Sequence, residues 1–452
     1  MFPGFNVNLS GKSRAMIEKF AMELRLFTCQ LLSKYTPHIL FATVLIICLV
    51  SQVKADAVDT LGQGEIPLNG PWAFQMGNDT KWASPQFDDS SWGHIDLTPP
   101  PGSHDGDVGL PGYVPGWASK GYSGRWGHAW YRLHVRCSIP AGTVPVLSAP
   151  TLVDGAYEIY WNGKRIGGIG DFKSVPPTVY ASRPKIFQLP ETASSGDAVV
   201  AIHVYLSKDM AADAEAGGIH VAPILADPAA GANLYLAQWW RTFWGYIADL
   251  VEPLALLMLA LFAISLHRFS PGDRFLPLAA AAISAIALSR LNQPLLFWTE
   301  IETIPVYNVV RFGIFNPLAI VFWVMACYRL GGLSNRRMDA LICLLGALAG
   351  IAALPGIEAR LLLSIGRLGL LLLFFGSIFY IVRSGRLLLL ALPAILLVGV
   401  AIFADELSVI GVKGIWFPFG IGVSRTQYAL AAAILVLAVF LHLRVGVKGK
   451  AD

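Results

Sequence analysis

Ala129-Trp130-Tyr131-Arg132-Leu133-His134-Val135 alternates side chains of opposite character, the pattern of a half-buried β-strand. Working outward, Tyr157-Glu158-Ile159-Tyr160-Trp161 is a second such run. It closes on Asn162-Gly163, a hairpin signal because both positions of the favoured two-residue turn need positive φ. Val199–Leu206 is a third. Turn residues separate short runs throughout 64–228, and no helical stretch of useful length interrupts them. Many short strands at regular spacing predict an all-β sandwich or barrel. Trp72, Trp92, Trp130 and Trp161 fall inside strand patterns and are expected in its core.

The rest of the chain has a different composition. Of 452 residues, 55% are hydrophobic and 14% charged, against about 25% charged in soluble chains. Mean hydropathy is +0.55. Seven apolar segments succeed the β-region, at about 247–266, 275–293, 306–328, 339–355, 360–382, 387–405 and 426–444, most of them near the ~20 residues that span a bilayer as helix. Gly346-x-x-x-Gly350 in the fourth permits close helix packing. With residue 245 outside, the inner segments hold Arg268, Arg274, Arg329, Arg336, Arg337, Arg383, Arg386, Arg444, Lys448 and Lys450, while the outer loops hold Arg360, Lys413 and Arg425. That is the positive-inside bias, and Trp239, Trp240, Trp244, Trp298 and Trp416 fall near the outer boundary as an aromatic belt. The net charge of +4 lies mostly in these loops, which argues for membrane orientation and against nucleic acid.

Residues 1–55 read as a basic n-region, then a short apolar run, Ile39–Val50, and Val53-Lys54-Ala55, a signal peptide or an uncleaved anchor. Either exports the chain from residue 56 onward. The expected organisation is therefore 1–55 cytoplasmic n-region and signal or anchor, 56–235 exported β-sandwich, 236–445 seven-transmembrane region and 446–452 a short cytoplasmic tail, in a bacterial plasma membrane. Of the five cysteines only Cys137 falls in the β-region, so no disulfide is expected within it, and no spacing resembles a zinc site.

Motifs in the β-region carry a resemblance. Leu68-Asn69-Gly70-Pro71-Trp72-Ala73-Phe74, Phe87-Asp88-Asp89-Ser90-Ser91-Trp92, Gly127-His128-Ala129-Trp130-Tyr131-Arg132, Ile159-Tyr160-Trp161-Asn162-Gly163-Lys164 and Gly217-Gly218-Ile219 occur in the order and rough spacing of the sugar-binding jelly roll of family 2 glycoside hydrolases. The resemblance implies a galactose-binding-like fold. It does not imply catalysis, because those enzymes carry their catalytic carboxylates in a separate barrel. With the membrane half, the chain resembles bacterial seven-transmembrane receptors with diverse intracellular signalling modules. Those usually continue into a cytoplasmic kinase, cyclase or phosphatase domain, whereas this sequence ends at Asp452. The output domain is then a separate polypeptide, or the chain is truncated, or it is not a signalling receptor. The implied fold class is an all-β galactose-binding-like jelly-roll sandwich followed by an all-α seven-helix transmembrane bundle.

Three groups of residues are candidates for function. Trp117, Tyr122, Arg125 and Trp126 lie in a Gly-rich loop and combine ring faces with a charged donor, which suits a sugar; the alternative is that these tryptophans cap the sandwich. His104-Asp105-Gly106-Asp107 offers oxygens to a cation, but reads more readily as a solvated loop; no metal and no cofactor is expected. Asp249, Glu252, Arg290, Arg311, Arg367, Asp405 and Glu406 fall in the outer third of the membrane. Ionisable groups there are costly and point to function, although residues near span ends also reach water by snorkelling. Arg367, the deepest, is expected to pair with Asp249 or Glu252. Hydrolase, phosphate-loop, zinc-protease and kinase signatures are absent, so no enzymatic activity is expected. The sequence reads as a receptor detecting an extracytoplasmic ligand, a carbohydrate among the candidates, and signalling to a cytoplasmic protein. The alternatives are a membrane-anchored carbohydrate-binding protein and, less favoured because the polar residues avoid the midplane, a transporter or membrane enzyme.

Overall fold

The computed structural model describes residues 64–137, 143–190, 196–354, 356–357, 359–383, 390–418 and 420–448. The signal or anchor segment and the last residues of the tail lie outside them. The β-region contains β1 (Glu65–Pro67), β2 (Trp72–Met76), β3 (Gly93–Ile95), β4 (Gly127–Cys137), β5 (Val146–Ser148), β6 (Val153–Asp154), β7 (Ala156–Trp161), β8 (Lys164–Ile169), β9 (Ile186–Gln188), β10 (Gly196–Leu206), β11 (Gly218–Ile219) and β12 (Ile224–Ala226). Six strands pair in the order β3-β2-β4-β10-β7-β8 and four in the order β1-β12-β5-β9, all antiparallel. The β7–β8 hairpin turns through Asn162 (φ 47°) and Gly163 (φ 81°). Both residues are left-handed, as the Asn-Gly pair demands.

The alternation in β4 assigns its two faces. Ala129 and Tyr131 enter the main core with Trp72, Phe74, Leu147 and Tyr157, which joins both sheets. Trp130 and Arg132 take the opposite face, beneath Trp82, Phe87 and Trp92. Arg132 is fully buried there. Its guanidinium donates to Asp89 Oδ2 (2.7 Å) and to the carbonyls of Ser84 (3.0 Å), Phe87 (3.2 Å) and Trp82, so it holds the 80–92 segment onto the sheet. A buried cation is tolerated because every side of it is satisfied. Trp72, Trp92, Trp130 and Trp161 are all buried.

After three short 3-10 turns at Thr80–Ala83, Trp117–Lys120 and Lys208–Ala212, α-helical structure begins where Asp227 caps the free amides of Ala229 and Ala230 at 2.9 Å each. Helix α1 (Pro228–Tyr246) passes through Ile247, itself in helical conformation, into α2 (Ala248–Phe269). Then come α3 (Phe275–Trp298), α4 (Ile304–Asn308), a π-helical segment Val309–Phe315, α5 (Asn316–Leu330), α6 (Arg336–Ala352), α7 (Arg360–Arg383), α8 (Leu392–Ile402) and α9 (Ala404–Val409). A short hairpin, β13 (Ile415–Trp416) and β14 (Val423–Ser424), precedes α10 (Arg425–Lys448). The π-segment has a local cause. Pro317 has no N–H to offer the Gly313 carbonyl, and the Asn316 N–H reaches five residues back to Arg311. The Gly346/Gly350 face of α6 packs on this helix. A Cβ on Gly350 would lie 2.7 Å from the Gly313 carbonyl oxygen, and Gly346 rests on Val321.

Among the described residues, five helical stretches are long and apolar enough to cross a membrane: Pro228–Phe269, Phe275–Trp298, Ile304–Leu330, Arg360–Arg383 and Arg425–Arg444. The fourth and sixth expected spans are shorter helices, α6 with 17 residues and α8 with 11. At 1.5 Å per residue, α8 covers only about 16 Å, and it stops at Phe403 before the chain continues as α9.

Candidate functional site

The loop 104–111 joins the β-region to the helices. Asp105 builds it from within. This buried carboxylate accepts the backbone N–H groups of Asp107 (2.7 Å), Val108 (2.9 Å) and Leu110. Its oxygens are thus used by the chain, not offered to a cation. The loop is solvated at His104, Gly106 and Asp107, as its Asp and Gly content predicts, whereas Asp105, Val108, Gly109 and Leu110 turn inward. Composition reports polarity but not whether the backbone itself consumes it.

So folded, the loop meets the helices at three places. The Tyr246 hydroxyl, at the end of α1, donates to Asp107 Oδ2 at 2.6 Å. Val108 and Leu110 pack with Tyr246, Phe297 and Trp298, and Tyr246 stacks on Phe297 at 4.2 Å and 8°. Arg241 donates to the Gly109 carbonyl, while His104 lies against Phe417 at 4.4 Å, in the turn of the β13–β14 hairpin. Gly109 has φ +78°, and a Cβ on it would stand 2.6 Å from the Gly420 carbonyl oxygen. A side chain there is excluded both by conformation and by space. Burial raises the Asp107 carboxyl above the usual carboxylate range, with Asp105 adding to the rise; the Tyr246 bond and the charges of Arg311 and Arg290 offset part of it.

The loop also lines a cavity of about 330 Å³ whose wall includes Asp107, Asp154, Asp213, Glu215, His220 and Tyr246. His220 is buried, with its ring stacked on Tyr113 at 5.2 Å and 2°. Its Nδ1 faces the Val114 carbonyl at 3.0 Å and its Nε2 faces Asp154 Oδ2 at 3.0 Å. Both ring nitrogens thus face acceptors, an arrangement that the imidazolium satisfies. Burial opposes the charge, but the bond to Asp154 and its negative charge outweigh this and raise the imidazole above its ordinary value. Burial likewise works against the Asp154 carboxylate, which His220 and the Gly217 amide nonetheless hold below its ordinary range.

Further charged residues lie on the helices. Arg290 of α3 donates to Asp249 of α2, both buried. Arg311 of the π-segment, within electrostatic range of Arg290, donates to Gln293 Oε1 at 2.7 Å and to the Tyr307 hydroxyl. Arg367 of α7 pairs elsewhere. Its Nε lies 2.5 Å from Glu406 Oε1, its Nη2 2.8 Å from Glu406 Oε2 and 3.1 Å from Asp405 Oδ2. The expected partnership of Arg367 with Asp249 or Glu252 is therefore corrected. The break after α8 returns the two acids of α9 to Arg367, while Asp249 is taken by Arg290. Glu252 Oε2 is buried without a hydrogen-bond partner. Six of the seven ionisable residues form two local groups, Asp249 with Arg290 and Arg311 and Arg367 with Asp405 and Glu406, and Glu252 joins neither by a hydrogen bond.

The four residues expected to meet a ligand are placed unequally. Trp117 is fully buried in the core and its indole N–H donates to the Arg125 carbonyl at 3.2 Å. It presents no ring face to solvent. Gly218 makes room for it: at φ +82°, a Cβ there would approach its ring to 2.9 Å. Tyr122 is half-buried, edge-on to Phe74 at 4.9 Å. Arg125 is exposed and Trp126 is 51% exposed. Sequence reasoning passes over Tyr246 and Gly109. The available signal is the run of charges and glycines at 104–112 immediately upstream of the tryptophan-rich loop.

No family model matches the sequence, and no curated protein matches it. Similar solved structures include the β-glucuronidase of Bacteroides uniformis, at 21% identity and a TM-score of 0.26, covering 36% of this chain and 18% of that one. A glycoside hydrolase family 2 β-glucuronidase matches at 16% identity and a TM-score of 0.27, over 38% and 18% of the two chains. The β-glucuronidase of Bifidobacterium dentium complexed with coumarin-3-O-glucuronide matches at 12% identity and a TM-score of 0.26, over 38% and 31%. The chain thus spans less than a third of the length of these structures.

Proposed function

We propose that the chain is a membrane receptor. Its β-region is a galactose-binding-like jelly roll outside a bacterial plasma membrane and detects an extracytoplasmic ligand, a carbohydrate in the first instance. Its helices, seven in this reading, relay occupancy to a separate cytoplasmic signalling protein, and the chain performs no catalysis. The observation that supports this most is the wedge: Asp107, from the β-region, accepts the Tyr246 hydroxyl of α1 and lies within electrostatic range of Arg290 and Arg311. A simple anchor has no need of a polar group from its cargo in the mouth of its helices. A ligand that favours one seating of the wedge shifts the helices by its differential affinity for the two seatings.

The test uses the full chain in nanodiscs carrying a dye at Ser334→Cys, in the turn after α5. A glycan array identifies a binder, and dye emission is then followed on its addition. A change in emission that Tyr246→Phe abolishes without weakening binding is the expected result. Binding without any dye response makes the chain an anchored carbohydrate-binding protein, and no binding by any glycan removes the carbohydrate.

A further inference from the structure

The cavity beside the 104–111 loop is strongly acidic. Its wall carries the carboxyl groups of Asp105, Asp107, Asp154, Asp213 and Glu215 against one base, His220, and among the described residues it contains no lysine or arginine. Three of these acids are answered from within the chain. Asp105 binds loop amides, Asp154 faces His220, and Asp107 accepts the Tyr246 hydroxyl within electrostatic range of Arg290 and Arg311. Asp213 and Glu215 are exposed, and among the described residues neither meets a cation within ion-pair distance. Their bonds come from uncharged donors, the Glu215 amide to Asp213 Oδ1 at 3.0 Å and the Tyr113 hydroxyl to Glu215 Oε2 at 2.9 Å. Like charges around one concave wall repel, and a cation held among them relieves the repulsion.

A second observation is independent of charge. Thr151 lines the same cavity and is only 5% exposed, yet among the described residues its hydroxyl has no hydrogen-bond partner. A buried hydroxyl is costly to leave unmade, and one that opens on a cavity is placed to bond what enters it. The size of the occupant is bounded from both sides. It is larger than a metal ion, because among the described residues no three acids or histidines converge closely enough to hold one. It is smaller than an oligosaccharide, because about 330 Å³ lies at the lower end of small-molecule sites. Tyr113, Tyr246 and Phe297 add rings to the wall, and ring faces attract organic cations. A sugar acid is excluded by the same carboxylates.

We propose that this cavity binds a small organic ammonium ion, its charge met by Asp213, Glu215 and Asp107 and a second polar group by the Thr151 hydroxyl. An amino sugar and a short diamine both carry these features; the shared chemistry is the alkylammonium group. The inference rests on the receptor reading for its consequence and narrows the ligand from any carbohydrate to a cation. That consequence follows from position. Asp107 and Tyr246, the two ends of the wedge bond, stand in the cavity wall. An ammonium that reaches Asp107 competes with the Tyr246 hydroxyl for the carboxylate, and so favours one seating of the wedge over the other.

The experiment is titration calorimetry on the full chain in phosphatidylcholine nanodiscs, whose lipid has no net charge, at about pH 6.5, below the usual range of an amine. The probes are glucosamine, N-acetylglucosamine, glucuronate and putrescine. Glucosamine or putrescine is expected to bind, whichever binds naming the source, and the neutral and acidic sugars are not. Asp213→Asn combined with Glu215→Gln is expected to weaken the bound ammonium about tenfold, each exposed ion pair being worth up to a factor of about five. The melting temperature should not change, because both side chains are exposed. Thr151→Val keeps the shape without the hydroxyl and should weaken binding about fivefold without lowering the melting temperature. Binding of neither ammonium overturns the proposal, as does equal binding of N-acetylglucosamine or an affinity untouched by the double variant. The receptor reading fails separately. Ammonium binding with no emission change from the Ser334→Cys dye upholds this site and removes the relay, whereas a neutral glycan that alone binds and moves the dye keeps the relay and removes this site.

Discussion

Replacing Tyr246 by phenylalanine removes one oxygen and leaves the ring. The ring contact with Phe297, at 4.2 Å and nearly parallel, survives the change, so the substitution isolates the 2.6 Å bond to Asp107. A hydrogen bond to a carboxylate contributes about 1.5–3 kcal/mol. At 1.36 kcal/mol per factor of ten, its loss favours opening of the 104–111 loop by about 10- to 150-fold. The loop carries its own reporters, the amides of Asp107, Val108 and Leu110 that bind the Asp105 carboxylate. Hydrogen exchange of the full chain in nanodiscs, monitored by mass spectrometry, should show these amides accelerating by that factor while the amides of β4 and β10 do not change. Tyr113→Phe is the control. It removes an equivalent hydroxyl from Glu215 at an exposed position and should leave the loop unaffected. If Tyr246→Phe exchanges at the wild-type rate across 104–111, the wedge is held by apolar packing alone and the polar contact carries nothing across the junction.

Arg367→Leu should destabilise the helical region by about 1.5–3 kcal/mol, the loss of charge-assisted hydrogen bonds to half-buried Glu406; a double-mutant cycle in detergent should show coupling with Glu406→Gln and additivity with Asp249→Asn. The His220–Asp154 pair should make thermal stability pH-dependent. Because His220 binds its proton more tightly folded than unfolded, its contribution is complete below about pH 6 and lost as pH rises through the folded value; a melting-temperature profile up to about pH 9 should fall, and His220→Gln should flatten it. Trp117→Ala should cost about 3–5 kcal/mol of stability and reduce any ligand binding only through unfolding, whereas Trp126→Ala should leave the melting curve in place. A glycan affinity lost with Trp126→Ala in a normally folded protein would locate the binding surface; one retained would exclude this ring.

What the sequence discloses and what it withholds divide along the range of the interactions. The strands at 129–135, 157–161 and 199–206 lie within β4, β7 and β10, because alternation and the Asn-Gly turn act between neighbours in the chain. Trp72, Trp130 and Trp161 are buried for the same reason, since they sit on strands, and Trp92 is buried just ahead of β3. Trp117 reads as a loop residue by its neighbourhood, yet Gly217 and Gly218, a hundred residues away, make the space that takes it inward. The pairing of Arg367 is hidden for a related reason. Depth along each helix is legible at 1.5 Å per residue, but which acid faces which base depends on where α8 breaks, and nothing in the run Leu392–Ile402 marks its end except the acids just beyond it. The 104–111 loop escapes sequence reasoning because its decisive partner is the backbone of the loop itself.

The passage of α1 into α2 through Ile247 in helical conformation sets a rule for length as well as for shape. Arg241, Tyr246 and Asp249 serve, in turn, Gly109, Asp107 and Arg290 from two successive helices joined at one residue. Each added residue turns everything beyond it by about 100°. A single insertion between Arg241 and Asp249 would therefore swing Asp249 more than a quarter of the way around the helix from its arginine. Seven added residues turn it by about 700°, within about 20° of two full revolutions, but lift the β-region by about 10 Å, off the Phe417 hairpin and the end of α3. Neither the phase nor the height can be changed alone. This short stretch should thus admit many side-chain substitutions away from those three residues, and no change in its length.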